Sequence, residues 1–137
     1  MKPDLKILIV DDFDIVRTMI KTALTNLNFT RLEQAKNGKQ ALEMLKQSEA
    51  NGDPFQLVFL DWNMPVMNGY ELLTHCRAHA NFKLLKFIMV TVESEQKTVI
   101  DALKAGADDY IVKPFSSQKI QEKIVRIFRH ENFTAAQ

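Results

Sequence analysis

Five short apolar blocks alternate along this chain with five segments of helical period, and no other feature restricts its folding as much. The blocks Ile7 to Val10, Leu57 to Leu60 and Phe87 to Val90 are rich in β-branched or aromatic residues and end abruptly in polar ones. They read as parallel strands buried on both faces. Tyr110 to Val112 adds a further strand, and Arg31 to Ala35, interrupted by Glu33 and Gln34, belongs near a sheet edge. The intervening stripes are Ile15, Met19, Ile20, Ala23, Leu24 and Leu27; Ala41, Leu42 and Leu45; Leu72, Leu73 and Cys76; Val99, Ile100 and Leu103; and Ile120, Ile124, Ile127 and Phe128. Each stripe has the spacing of one helix face and needs a sheet to cover. Right-handed crossovers on both sides of one open sheet bury all five, so the expected class is α/β with a doubly wound, Rossmann-like parallel sheet.

Turn chemistry agrees. Asn37-Gly38 and Asn68-Gly69 stand where helices begin, Gly106 where a helix should end, and Ser116 or Ser117 where the last helix needs a cap. The segment Gln47 to Pro54, with Asn51-Gly52 and Asp53-Pro54, reads as a surface loop. With 137 residues, 46% apolar and 26% charged, the chain has the size and make-up of one globular domain. Its 18 basic residues nearly balance 17 acidic ones, which leaves no strong field for nucleic acid or anionic lipid. Cys76 is the only cysteine, so an internal disulfide or thiolate metal cluster is excluded. No apolar run approaches the roughly 20 residues needed to cross a bilayer, and charged residues begin at Lys2, which argues against a signal peptide. A cytoplasmic location follows as the expectation.

The chemistry lies in acidic residues at strand ends. Asp11-Asp12 follow the first strand and Asp61 follows the third. In a parallel α/β sheet these ends share one edge, where ligands bind at the reversal of strand order. Three carboxylates drawn together repel one another, and a hard, oxygen-seeking Mg²⁺ relieves that repulsion. Taken singly, each aspartate is equally well a helix cap or a solvated loop residue; the joint placement favours a site. Lys113, after the fifth strand and before Pro114, brings an ammonium to the same edge, and Thr91 at the end of the fourth brings a hydroxyl. Such a set suits an anhydride formed on Asp61, whose carboxylate attacks phosphorus while a cation and Lys113 offset the transferred charge. No GxxxxGK[ST] loop is present, which disfavours a P-loop nucleotidase.

Four ordered motifs carry a family resemblance across nearly the whole chain: Val10-Asp11-Asp12-Phe13, Asp61-Trp62-Asn63-Met64-Pro65, Val90-Thr91-Val92-Glu93, and Ala105 through Phe115 with Asp108-Asp109-Tyr110 and Lys113-Pro114 inside it. With these the chain resembles response-regulator receiver domains, and among them the single-domain regulators of bacterial chemotaxis. The resemblance implies a flavodoxin-like sheet of order 2-1-3-4-5, with residues 5–130 as the receiver and 131–137 as a short polar tail. It implies Asp61 as phosphoacceptor, with Mg²⁺ held by Asp12, Asp61 and the carbonyl of Asn63, and Asp11 orienting water on the metal. Thr91 would bind the phosphoryl oxygen and Lys113 would neutralise it. Tyr110 would change rotamer, and a signalling surface with Ser94, Val99, Tyr110, Lys123 and Arg126 would meet the target. Asn63 and Glu93 are implied in control of dephosphorylation. The partners implied are a histidine kinase, a flagellar motor switch protein and an auxiliary phosphatase, with the chain a monomer and a switch rather than primarily an enzyme.

Val92 stands where close chemotaxis relatives often carry alanine. The basic residues Lys119, Lys123, Arg126 and Arg129 suit an acidic partner helix, or simply a solvated face. His75, His79 and His130 read as surface or packing residues, and Met19, Met44 and Met64 as packing. Three other functions stay open on the sequence: a phosphorelay carrier or phosphate sink, an Mg²⁺-dependent phosphohydrolase, and a phosphate-independent scaffold. The absence of a DxD arrangement around Asp61 disfavours the phosphohydrolase.

Overall fold

The computed structural model describes residues 4–92 and 96–129. In chain order the elements are β1 (Lys6–Val10), α1 (Asp14–Asn26), β2 (Arg31–Ala35), α2 (Gly38–Ala50), β3 (Leu57–Asp61), α3 (Gly69–Arg77), a 3-10 turn (Ala80–Phe82), β4 (Lys86–Val92), α4 (Gln96–Ala105), β5 (Asp109–Lys113) and α5 (Ser117–Phe128). All strand pairs are parallel, in the order β2-β1-β3-β4-β5. This is the flavodoxin-like receiver fold that the resemblance implies, with the interrupted strand β2 on one edge. Asp61 and Lys113 are the last residues of their strands rather than the first beyond them, and β4 runs one residue past Thr91.

Successive strand side chains point to opposite faces, and the two cores divide accordingly. Leu8, Val10, Val58, Leu60, Phe87 and Met89 pack against α2 and α3, while Ile7, Ile9, Leu57, Phe59, Ile88 and Val90 pack against α1 and α5. The start signals act as expected. The Asn37 side chain accepts from the Gln40 amide, Asn68 and Glu71 form a reciprocal capping box, and Ser116 accepts from the Lys119 amide. Gly106 follows α4 with φ of 114°, a left-handed conformation that L side chains resist.

Three sequence expectations need correction. Gln47–Ala50 belong to α2, whose end is capped by Asn51, so the loop is shorter than Gln47 to Pro54. Good helix formers carry α2 to Ala50, and the turn begins only at Asn51-Gly52. In α1, Ile20, Ala23 and Leu24 are buried, but Ile15 is 70% exposed and Met19 is exposed too; the stripe is broader than the sheet face that covers it. Helix α4 departs furthest. Only Ala102 is buried, Val99 is half-buried, and Ile100 and Leu103 are exposed. Ala102 and Ala105 are the residues that α4 packs into the core, which turns its large apolar side chains outward.

Candidate functional site

The strand order reverses between β1 and β3, and the acidic residues gather there. Asp11 continues from β1, with its amide donating to the Ala35 carbonyl at 3.2 Å, and it is 1% exposed. Its Oδ1 accepts from the Phe13 amide at 2.9 Å. One carboxylate oxygen from each of Asp11, Asp12 and Asp61 lies within 4.8 Å of the other two. The joint reading of separated aspartates as one cluster is thus realised in the tertiary structure.

The electrostatics are those of a site built to hold a cation. Asp11 Oδ2 and Asp12 Oδ1 are buried and accept no hydrogen bond among the described residues. Buried carboxylate oxygens that accept no hydrogen bond are costly, and here two of them belong to a cluster with a third carboxylate. Burial pushes the Asp61 carboxyl up to about 7, with Asp11 adding to the rise, Lys113 opposing it and Asp12 raising it further. Burial likewise raises Asp11, against the opposing hydrogen bond from Phe13. Lys113 Nζ stands 3.7 Å from Asp11 Oδ2, so its ammonium is already within the cluster. An all-oxygen donor set with unpaired lone pairs fits a hard divalent cation such as Mg²⁺. Among the described residues, this is the one such group of three acidic, histidine or cysteine side chains.

The loop after β3 is held tightly beside this cluster. The Gly69 amide donates to the Trp62 carbonyl at 2.8 Å, and a Cβ on Gly69 would come within 2.4 Å of the Asp61 carbonyl oxygen. Trp62 is half-buried and meets Tyr70 edge to face at 5.6 Å, while Asn63 is exposed at the mouth. On the neighbouring strands, Thr91 is buried opposite Val112, and Val92 lies opposite Lys113. The Lys113-Pro114 peptide is cis.

The residues expected at the signalling surface lie away from the acids. Tyr110 is half-buried, and Lys123 Nζ lies 4.9 Å from the centre of its ring. The same Nζ is 2.9 Å from Asp109 Oδ1, and Arg126 Nη1 is 3.8 Å from Asp109 Oδ2. Two members of the basic face of α5 therefore converge on a buried carboxylate. Asp109 was not singled out in the sequence, although its place just before Tyr110 and two inward-capable cations on α5 was a signal. Val99 borders a cavity of about 370 Å³ with Val92, Ile100, Tyr110 and Val112. Glu93 and Ser94 lie outside the described residues, as do His130 and residues 131–137. His75 and His79 are exposed and stack at 6.5 Å. No helix among the described residues is long and apolar enough to cross a membrane.

Two buried or half-buried arginines also escaped the sequence reading. Arg17 is 6% exposed beneath the acidic turn. Arg77 donates to the carbonyls of Gly106 and Leu85 at 2.9 and 2.7 Å and pairs with Asp108.

Residues 7–125 match the response regulator receiver domain family. The chain is 43% identical over 128 residues to the chemotaxis protein CheY of Pseudomonas aeruginosa, spanning 93% of this chain and 99% of that one. It is 41% identical over 128 residues to the chemotaxis protein CheY-3 of Vibrio cholerae, spanning 93% and 95%. Among solved structures, it is similar to the receiver domain of a sensor histidine kinase from Pseudomonas aeruginosa, with a TM-score of 0.80, 25% identity, and coverage of 92% and 98%. That domain carries a magnesium ion coordinated in its active-site cleft.

Proposed function

Because the chain belongs to the response-regulator receiver family of phosphorylation-dependent signalling switches, we propose that it accepts a phosphoryl group on Asp61 from a histidine kinase. The observation that carries this reading is the pair of buried oxygens on Asp11 and Asp12 that accept no hydrogen bond among the described residues, converging with Asp61 beside Lys113. Asp12 and Asp61, with the carbonyl of Asn63, hold Mg²⁺, and Asp11 completes the acidic pocket. The bound cation supplies Lewis acidity at the transferred phosphoryl group. An Asp61 carboxylate oxygen attacks phosphorus, the P–N bond to the donor histidine breaks, and the imidazole leaves with the bonding pair. Lys113 offsets charge on the new acyl phosphate, and the Thr91 hydroxyl donates to one of its oxygens.

The signal then passes to the face formed by α4, β5 and α5, where Val99, Tyr110, Lys123 and Arg126 contribute. Thr91 drawn toward the phosphate and Tyr110 turning inward constitute the population shift. Identity above 40% to two chemotaxis proteins supports a flagellar motor switch protein as the target. Asn63 serves in dephosphorylation control, as does Glu93 on the family resemblance alone, and an auxiliary phosphatase would act through them. Similarity to a receiver within a sensor histidine kinase favours a second reading, a phosphorelay carrier that returns the phosphoryl group to another histidine.

The deciding experiment is phosphotransfer from a purified phosphorylated histidine kinase, with and without Mg²⁺, to the native chain and to Asp61→Asn. Labelling should require Mg²⁺ and disappear in the variant; equal labelling of the variant would sink the assignment. Binding to the N-terminal peptide of a motor switch protein should tighten on phosphorylation. Equal affinity in both states, with onward transfer to a histidine, would select the relay instead.

A further inference from the structure

We propose that Arg17 is a positioning residue that sets the cation-binding posture of the Asp11-Asp12 turn. The inference rests on the reading of Asp11, Asp12 and Asp61 as a divalent-cation site. A charged side chain only 6% exposed must find partners for its donors, and Arg17 finds three in three different segments. Its Nη1 donates to the backbone carbonyl of Asp11 at 2.6 Å, at the end of β1. Its Nε donates to Gln34 Oε1 at 3.0 Å on the edge strand β2, and Nη2 pairs with the Asp14 carboxylate in the first turn of α1.

The planar fork of a guanidinium fixes directions as well as distances, so these bonds lock the three segments in one relation. Asp11 is thereby held at both ends. Arg17 grips its carbonyl, and the Phe13 amide grips its Oδ1, which leaves Oδ2 turned to the cluster without a hydrogen bond among the described residues and with only the Lys113 ammonium 3.7 Å away. Asp12 is the next residue, and its own such oxygen is placed by the same turn. Arg17 reaches Asp11 through the main chain, bonding its carbonyl rather than its carboxylate. A lysine has no fork, and a single ammonium cannot reproduce bonds in three directions.

The alternative is that Arg17 merely fastens α1 to the sheet. Mg²⁺ titration of the full chain, read by Trp62 fluorescence or calorimetry, separates the two. Supporting residues behind metal ligands are typically worth about tenfold or more in metal affinity. Arg17→Met should therefore weaken Mg²⁺ binding about tenfold, with Arg17→Lys recovering only part of it. Saturating Mg²⁺ should restore the rate of phosphate acceptance. Leu45→Ala, a core truncation on the opposite face of the sheet, serves as the reference. It should lower the melting temperature while leaving Mg²⁺ affinity unchanged. An Arg17→Met affinity within about twofold of native, or equal weakening by Leu45→Ala, would overturn the proposal. Should Arg17→Met not fold, Gln34→Leu removes one arm of the clamp and should weaken Mg²⁺ binding about twofold to threefold; no change there also overturns it. A native chain that binds no Mg²⁺ defeats the cation reading itself, whereas native binding with an unaltered Arg17→Met defeats this inference alone.

Discussion

Asp61 is destabilised in its charged form by burial and by the neighbouring carboxylates. Its carboxyl is raised from an ordinary 3.8 to about 7, so the folded chain holds a proton that the unfolded chain releases earlier. Stability from this group is complete below about pH 4 and is lost as pH rises through about 7. With divalent cations chelated, the melting temperature should fall across that window, by the equivalent of about 1–2 kcal/mol once solvent screening of a half-exposed carboxylate is allowed for. Mg²⁺ replaces the proton, so its stabilising effect should be larger at pH 8 than at pH 5. Thermal unfolding at the two pH values, in chelator and in excess Mg²⁺, checks both signs. The three aspartates were legible in the sequence because each lies at a strand end. Arg17 was not, since a lone arginine within an amphipathic pattern looks like any solvated residue until its partners Asp11 and Gln34 are seen to surround it.

Among the elements, the loop from β3 to α3 stores strain beside the site. Val66 has φ of 72°, and the Met67 amide donates to the Pro65 carbonyl at 2.9 Å, which closes a three-residue turn around a β-branched side chain. Val66 is also exposed, so removing its side chain forfeits little packing. Val66→Gly should raise stability by about 0.5–1 kcal/mol, the relieved strain exceeding the added chain entropy; urea denaturation measures it. At the other end of α3, Arg77 joins the helix to the turns before β4 and β5, stacks 5.0 Å from Phe87, and pairs with Asp108. Arg77→Ala leaves several of these carbonyls without a donor and should cost about 2–4 kcal/mol in the same experiment. Helix starts were readable from Asn37, Asn68 and Ser116, because a cap is a local interaction. The outward face of α4 was not, because periodicity marks an apolar side without saying what covers it.

At the scale of the molecule, one sheet separates two cores, and both rest on the same strands. Neither core can be lost without exposing the other's floor, so a chain of this size should unfold in one step. Trp62 fluorescence, reporting from the site, and far-ultraviolet dichroism, reporting from the helices, should give coincident urea transitions; separated midpoints would contradict this. The near balance of 18 basic and 17 acidic residues conceals strong local fields, with acids concentrated at the strand ends and cations drawn in to meet buried carboxylates. By itself, the sequence determined the alternation of strands and helices, the edge position of β2, the caps, and the acids at one edge of the sheet. These depend on local periodicity, turn chemistry and the handedness of crossovers. Only the tertiary structure decided that α4 shows its large apolar residues, that Arg17 clamps the acidic turn, and that Lys123 and Arg126 are tied to Asp109. Those outcomes depend on which side chains meet across gaps in the sequence, and a polar group declares its partner only when burial has removed water as the alternative.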